Sequence, residues 1–401
     1  MTLSIQSKSQ KKSLNDSLTR MNLNSILCVL YATIITLSLV YAPQPLAPLL
    51  GDYFHISAHN ASSIISLTLL PMAFAPTLYG YLLEKFSPKK ILILSMFSCG
   101  ILQFLSTMSD VFYIFLFLRG LQSLFFPAIL TTLLTILTRL NATNIQKNTS
   151  LYVSATITGG LIGRVLGSYL TNLFSWQISF NFFAILMILG GFWALRIRDT
   201  NQGNLSKITL KEILPFFKDK SYVWILVSVF IMFFSFQAIL CVLPFFLVDT
   251  NPNIGESQIG FVYIGYLIGI VVSLFASKTT LIFHSKSNAV CFSFLVFGIG
   301  ILIMIINHMY MLLLGMFVLC AGSFSAHSIL SALINSISKN KKGIVNGLYL
   351  TFYYSGGVLG SFVPIFFYDQ FGWSFICIFI AMLLFLNSFL FFKHKQLYRK
   401  V

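Results

Sequence analysis

Long apolar segments alternate with short polar connections along nearly the whole chain. Most of these segments are about 20 residues long, which is the length an α-helix needs to cross a lipid bilayer. Lipid offers no water to satisfy backbone amides and carbonyls, so we expect the segments to be helical. The twelve segments are 26–50, 62–83, 91–108, 111–137, 151–173, 178–195, 222–248, 259–276, 289–306, 309–334, 344–367 and 375–392.

An internal repeat divides the chain into two related parts. A glycine-rich motif followed by a tryptophan occurs twice, with every matched position separated by 197 residues. The matched pairs are Tyr152 and Tyr349, Gly159 and Gly356, Gly160 and Gly357, Gly163 and Gly360, and Trp176 and Trp373. An offset of nearly half the 401 residues indicates a duplicated membrane unit. The pattern therefore predicts an all-α membrane protein with twelve transmembrane helices in two pseudo-symmetric six-helix halves.

The longest polar connection separates six apolar segments from the other six. We therefore expect five parts along the chain, each defined by its composition. They are an N-terminal tail at 1–25, a first six-helix bundle at 26–195, a central loop at 196–221, a second six-helix bundle at 222–392 and a C-terminal tail at 393–401.

Basic residues are concentrated on one side of the expected membrane. The two tails and the connections after even-numbered segments hold 24 of the 26 lysines and arginines, whereas the opposite connections hold none. Cytoplasmic loops carry such an excess, so both termini are predicted to be cytoplasmic. The net charge of +16 then reflects membrane topology and anionic headgroups, and we expect no nucleic-acid partner.

Arg119 and Arg164 are the two basic residues outside this pattern, and both lie inside apolar segments. A charge at the bilayer centre costs at least about 2.5–3.5 kcal/mol, so each should face an aqueous cavity or a polar partner. Arg164 lies on one helical face with Gly160 and Gly167. Its position corresponds to Ser361 in the second half, so only one half carries the charge.

Several groups are candidates for neutralising or assisting these arginines. Asp52, near the end of the first segment, could pair with either one, although an exposed loop acid is the alternative. An anionic substrate held by both guanidinium groups is a second possibility. His327 could carry a proton near neutral pH, or could simply be hydrogen-bonded and structural. Gln44 and Gln237 lie in the first apolar segment of each half. Each suits either a place in a cavity or an interhelical hydrogen bond.

Glycines on two segments are interpreted as elements of helix packing. Small residues on one face let two helix backbones approach closely. We expect these faces of the fifth and eleventh segments to slide past their neighbours during a conformational change. The glycines concerned are Gly159, Gly160, Gly163, Gly167, Gly356, Gly357 and Gly360.

The connection between the second and third segments combines an acid with a basic cluster. Such a loop could latch one conformation through charge pairs, or could be an ordinary positive-inside loop. The residues proposed for the latch are Gly80, Glu84, Lys85, Lys89 and Lys90. This stretch resembles a loop signature of the major facilitator superfamily. Ser87 and Pro88 depart from that signature, where a glycine and an arginine are usual.

Further motifs, in order, extend the resemblance from about residue 25 to 392. They are Gln44-Pro45-Leu46-Ala47-Pro48, Leu118-Arg119-Gly120-Leu121, Gly159-Gly160 with Gly163-Arg164, Ser325-Ala326-His327-Ser328, and Leu348-Tyr349-Leu350 with Gly356. Together they are similar to the YnfM-like inner-membrane transporters of the twelve-helix drug:proton antiporter branch. The resemblance implies that an arginine at position 119 lines the cavity and is linked to proton movement. It also implies that Arg164 occupies a position where antiporters often carry proline.

The sequence contains no phosphate-binding Walker loop and no plausible catalytic triad or metal cluster, so we expect neither an enzyme nor a cofactor or metal. The leading hypothesis is a monomeric bacterial inner-membrane transporter performing proton-coupled efflux (antiport) of a small organic compound or drug by alternating access. Its partners would be that small molecule, protons and the lipid bilayer. One alternative is uptake or exchange of an organic anion by Arg119 and Arg164. Another is a non-transporting membrane sensor or scaffold.

Overall fold

The computed structural model describes residues 23–140, 145–197, 210–283, 285–338 and 342–398, and this part of the chain is helical with short turns and no strand. The helices of the first half are α1 (Leu23–Tyr41), α2 (Ala47–Tyr53), α3 (Ala58–Lys85), α4 (Pro88–Thr107), α5 (Phe112–Ser123), α6 (Phe125–Leu140), α7 (Ile145–Leu173) and α8 (Trp176–Ala194). Those that follow are α9 (Leu210–Lys218), α10 (Lys220–Thr250), α11 (Glu256–Val262), α12 (Tyr266–Ile282), α13 (Lys286–Ile303), α14 (Met309–Ile337) and α15 (Lys342–Lys393).

Each of the twelve predicted apolar segments coincides with described helix. Three segments are interrupted, the first by a turn at residues 42–46, another between α5 and α6, and the third by a 3₁₀ turn at Tyr263–Gly265. The long α15 contains two segments, because Gly372 has a φ of 78° and reverses the chain there. Glycine adopts this backbone conformation without a Cβ clash. Within the described residues, nine stretches, α15 among them, are long and apolar enough to cross a membrane. The predicted all-α membrane fold is confirmed.

The buried apolar side chains form two large clusters, one for each half. The first draws almost entirely on residues between 28 and 197, and the second mainly on residues between 225 and 398. Two separate cores are what a duplicated unit should produce, because each half buries its own helix faces. The bounds of the two bundles given by the sequence stay a prediction.

In the first half, α7 crosses α1 at two glycines. A Cβ added at Gly159 would collide with the carbonyl oxygen of Ile34, and one at Gly163 with that of Ser38. The hydroxyl of Ser38 donates a hydrogen bond to the Gly159 carbonyl oxygen at 3.0 Å, which fixes the register of the crossing. The small residues therefore bring two backbones into direct contact.

The second half repeats this crossing between α15 and α10. A Cβ at Gly356 or Gly360 would collide with the carbonyl oxygen of Phe230 or Phe234 respectively. In both halves the two partners belong to the same bundle. In this structure the contacts at these four glycines hold each half together, and the expectation that the glycine faces slide during a conformational change stays a prediction.

Apolar contacts between the halves extend along α7, where Val153 and Ile157 pack in the second-half cluster, whereas the hydrogen bonds between the halves lie toward one face of the molecule. We call this the distal face; it carries the connections at residues 42–57, 108–111, 174–175, 251–255 and 304–308. The opposite, terminal face carries residues 23 and 398 and the connection before α10. On one side of the interface, the hydroxyls of Ser66 in α3 and Ser361 in α15 are 2.9 Å apart. Nearby, the His59 ring lies 3.8 Å from that of Phe366.

The other side of the interface joins α7 to α11 and α12. A Cβ at Gly260 would come within 2.5 Å of the Ser168 side chain, so the helices meet closely there. Among the described residues, the hydrogen bonds and ring contacts that link the halves all lie toward the distal face. The hydrogen bonds and ring contacts thus link the halves at this end of the molecule.

Gly163→Ala should destabilise the protein, because the new methyl group would press on the Ser38 backbone. Overpacking of this kind costs about 1–3 kcal/mol. Gly343→Ala is the matched control, since a Cβ there meets nothing within 4 Å. Thermal unfolding of the two detergent-purified variants checks the difference, and equal melting temperatures would contradict the close crossing of α1 and α7.

Candidate functional site

The side chain of Arg164 is fully buried where the two halves meet. Its guanidinium carbon lies 4.1 Å from the ring centroid of Tyr41 in α1 and 4.5 Å from that of Tyr266 in α12. A third ring, that of Tyr263, is 5.6 Å away. Because the rings come from opposite halves, cation–π attraction at Arg164 draws the halves together, by about 2 kcal/mol or more for a desolvated contact. We call Arg164 with these three tyrosines the arginine clasp.

Hydrogen bonds extend the clasp into a polar chain. Arg164 donates from Nε to the Gln44 side-chain oxygen at 2.7 Å and from Nη1 to the Gly160 carbonyl oxygen at 2.8 Å. The Gln44 amide donates in turn to Cys241 Sγ at 2.9 Å and contacts the Gln237 side-chain oxygen at 3.5 Å. The chain therefore crosses from the first half to the second, and it brings together three residues that the sequence singled out.

Two donors in this polar chain have no partner. Arg164 Nη2 and Gln237 Nε2 are both buried, and neither donates a hydrogen bond within the described part of the protein. An unpaired buried donor costs about 1–3 kcal/mol, and more where the group is charged. The arrangement therefore offers two N–H groups to an acceptor.

Proline explains why Gln44 lies beside Arg164. Pro43 and Pro45 lack the amide hydrogen that a helix requires, so α1 ends at Tyr41 and the chain turns through residues 42–46. The turn places Gln44 across from α7, fully buried. Pro48 then lies in the first turn of α2, where a missing amide hydrogen does no harm.

An aromatic group lies next to the clasp. The rings of Phe233 in α10 and Tyr353 in α15 stack with centroids 3.8 Å apart. Tyr353 is within electrostatic range of Tyr41 and Tyr266, and Tyr354 is within range of Tyr41. The interface next to Arg164 is thus lined mainly by aromatic side chains from both halves.

Arg119 is also fully buried, but it lies inside the first half. It donates from Nη1 to the side-chain oxygens of Gln103 at 2.9 Å and Gln122 at 2.6 Å, and from Nη2 to the Leu39 carbonyl oxygen at 2.5 Å. These bonds tie α1, α4 and α5 together. Polar partners engage both terminal nitrogens of Arg119, its buried Nε has no partner, and no carboxylate among the described residues contacts it.

Asp52 does not pair with either arginine in this structure. The prolyl turn carries the chain out to α2, where the Asp52 side chain is exposed, so the suggested ion pair is absent here. A neighbouring acid does find a partner, since the Tyr53 hydroxyl donates to Asp110 at 2.6 Å. That hydrogen bond to Asp110 raises the pKa of Tyr53.

His327 lies in α14 beside α15 of the same half. Its Nδ1 is 3.0 Å from the Tyr349 hydroxyl, and its ring centroid is 4.9 Å from that of Tyr353. The histidine therefore has the structural partner that one interpretation of the sequence expected, and it also borders the aromatic group. Its role in coupling stays a prediction.

The proposed latch falls partly outside the described residues. Gly80, Glu84 and Lys85 belong to α3, but their side chains are not among those described. Lys89 and Lys90 open α4, where the Ser87 hydroxyl accepts a hydrogen bond from the Lys90 amide. The latch stays a prediction.

Sequence reasoning missed the partners of Arg119 and the three tyrosines around Arg164. Gln122 is three residues from Arg119 and so lies on the same helical face, which is a signal that could have been used. Gln103 and the three tyrosines of the clasp come from other helices. Their contacts depend on how the spans pack, which the spacing along one helix does not reveal.

Two related helical halves that meet at one face, around a charged and aromatic interior, define a membrane transport protein that crosses the bilayer several times. The chain belongs to the Major Facilitator Superfamily, whose family model matches residues 29–253 and 250–400. This family consists of transporters of small molecules. The resemblance noted from the sequence motifs is thereby confirmed.

Curated relatives match over most of their length. An uncharacterized transporter of Buchnera aphidicola subsp. Schizaphis graminum is 26% identical over 369 residues, which cover 90% of this chain and 88% of the relative. The inner membrane transport protein YnfM of Escherichia coli is 24% identical over 366 residues, covering 89% and 87%. The solved structure of the nucleoside transporter NupG has a TM-score of 0.77 with 17% identity, covering 92% of this chain and 99% of that one. The last likeness establishes the shared fold.

Replacing Arg119 with alanine should lower the thermal stability, because it leaves the buried acceptors of Gln103, Gln122 and Leu39 without their donor. We expect a loss of at least about 2 kcal/mol. Arg119→Lys should fall between Arg119→Ala and the wild type, since one ammonium group cannot reach all three acceptors. Arg196→Ala, at an exposed position, is the control. A wild-type melting temperature for Arg119→Ala would show that the network is not structural.

Proposed function

We propose that this protein is a secondary transporter that exports a small organic compound in exchange for protons by alternating access. The observation that carries the alternating-access part is the one-sided distribution of polar links, since the described hydrogen bonds and ring contacts between the halves lie toward the distal face. A transporter of this kind needs two states, one closed at each face. The structure corresponds to the state closed at the distal face.

The orientation follows from charge. Lysines and arginines accumulate on the terminal face, so we assign that face to the cytoplasm. The closed distal face is then extracytoplasmic, and the structure represents an inward-facing or occluded state. The inner membrane as the location is supported by the name of the Escherichia coli relative.

The export direction and proton coupling are supported by the similarity of the motifs to drug:proton antiporters. His327 is our candidate for carrying the proton, because it borders the aromatic group and has a hydroxyl partner in Tyr349. Arg119 would act by holding α1, α4 and α5 in place. Neither role requires Asp52 to enter the membrane.

A second candidate function is the uptake or exchange of an organic anion. Arg164 favours it, because a buried guanidinium with an unpaired nitrogen and no carboxylate contact suits a negatively charged cargo. Arg119 contributes less to this function than we expected, since both of its terminal nitrogens are engaged and it lies inside the first half, away from the interface.

Locking the distal face should stop transport. Ser66→Cys together with Ser361→Cys places two thiols where two hydroxyls meet at 2.9 Å, so an oxidant should form a disulfide between the halves. The six native cysteines are buried and should react little. We expect flux in proteoliposomes to fall at least about tenfold after oxidation and to recover with reductant. Each single variant is a control, and undiminished flux in the cross-linked protein would refute alternating access through this face.

Proton coupling is tested in proteoliposomes loaded with a radiolabelled substrate library. An imposed inward proton gradient should accelerate efflux, because proton entry would drive cargo exit. Dissipating the gradient with a protonophore should return the rate to that of passive exchange. Efflux that ignores both treatments would remove the proton from the mechanism while leaving transport itself intact.

A further inference from the structure

We propose that the arginine clasp is the cargo site and that the cargo is a planar aromatic carboxylate. This inference rests on the proposed transport function, but it is independent of the direction of transport. It concerns Arg164, Gln237 and the tyrosines at the interface, for which the sequence suggested no common ligand.

The charge of the site favours a carboxylate. Arg164 is a full positive charge, buried at the interface, with no acid in contact among the described residues. A cationic cargo would be repelled there, and a neutral cargo would leave the charge uncompensated. A carboxylate would neutralise it, and the planar guanidinium matches a carboxylate in shape.

The free donors favour the same group. Arg164 Nη2 and Gln237 Nε2 lack partners, and Gln44 connects their side chains by contacts of 2.7 Å and 3.5 Å. The two oxygens of one carboxylate can accept from two such N–H groups. One ligand group would thus satisfy donors from both halves, which would couple binding to the contact between them.

The surrounding rings favour an aromatic body for the ligand. Tyr41 and Tyr266 flank the guanidinium within 4.5 Å, and the stacked pair of Phe233 and Tyr353 lies beside them. Aromatic rings pair in offset or edge-to-face contacts worth about 0.5–1.5 kcal/mol beyond burial. The hydroxyls of Tyr41, Tyr266, Tyr353 and Tyr354 make no hydrogen bond to other described residues, so they remain available to a polar substituent on the ring.

The asymmetry of the repeat suggests a cargo with a single acidic group. The second-half counterpart of Arg164 is Ser361, whose hydroxyl contacts Ser66 instead of carrying a charge. One side of the interface is therefore equipped for an anion and the other is not.

Ligand-induced stabilisation of the full-length, detergent-purified protein tests the proposal. The probes are benzoate, 1-naphthoate and indole-3-carboxylate, each compared with its neutral amide and with the corresponding arylmethylamine. At about 10 mM, at least one carboxylate should raise the melting temperature by about 2 °C or more, because a bound ligand stabilises the folded state. Its amide and amine should not do so.

Variants assign the effect to the clasp. Arg164→Gln should abolish the stabilisation, and Arg164→Lys should weaken binding at least about tenfold, since an ammonium lacks the planar fork. Arg196→Gln removes an exposed positive charge and should change nothing. Tyr354→Phe should weaken binding of 4-hydroxybenzoate, added as a further probe, whereas Tyr31→Phe should not, because the Tyr31 hydroxyl donates to the Leu186 carbonyl.

Three results would overturn the proposal. They are stabilisation by no carboxylate, equal stabilisation by amides or amines, and a carboxylate effect that survives in a folded Arg164→Gln variant or is undiminished in a folded Arg164→Lys variant. Flux measured in parallel separates this proposal from the transport function. If library compounds are transported but no carboxylate binds, the proposed cargo class is wrong and the transport function stands. If a carboxylate binds but no flux is measured, the transport function is wrong and the binding site stands.

Discussion

The structure depends on a positive charge that is buried at the contact between two bundles without a carboxylate to neutralise it. Desolvating a guanidinium is expensive, and aromatic faces and carbonyl oxygens compensate it only in part. In this protein the compensation comes from both halves, since Tyr41 lies on one side of Arg164 and Tyr266 on the other. Separating the halves would therefore change the surroundings of the charge more than those of any apolar contact. The electrostatics of one residue and the conformation of the whole molecule are thus linked.

The contacts inside each half differ in kind from the contacts between the halves. Within each half, backbone meets backbone at Gly163 and Gly360, and a hydrogen-bonded network around Arg119 joins three helices of the first half. Between the halves, α3 packs on α15 and α7 packs on α11 and α12, and the described polar links are a pair of serine hydroxyls and the chain from the clasp through Gln44 to Cys241. This distribution favours rigid-body movement of one half against the other over rearrangement inside either.

Much of the architecture could be predicted from sequence, because the period of apolar residues and the 197-residue repeat are local properties of the chain. The small residues at Gly159 and Gly163 correctly indicated close helix approach, but not which helix would approach. Arg164, Gln44 and Gln237 were each identified separately; that they touch depends on the packing of α1, α7 and α10. Of the two interpretations of Asp52, the exposed loop acid agrees with this structure, because the turn after Pro43 takes the residue away from the membrane interior. Long-range pairing is set by the packing of whole helices, which residue spacing does not encode.

The hydrogen bond between Ser66 and Ser361 affects the balance between the two conformational states of a transporter. Both hydroxyls are buried while they are in contact, and each can hydrogen-bond to water once the halves part, so this hydrogen bond contributes only about 0.5–1.5 kcal/mol to the choice of state. The preference that it gives to one of the two states is therefore small. A ligand that binds one of them about tenfold more tightly then shifts the ratio by about 1.4 kcal/mol, which is enough to reverse the preference.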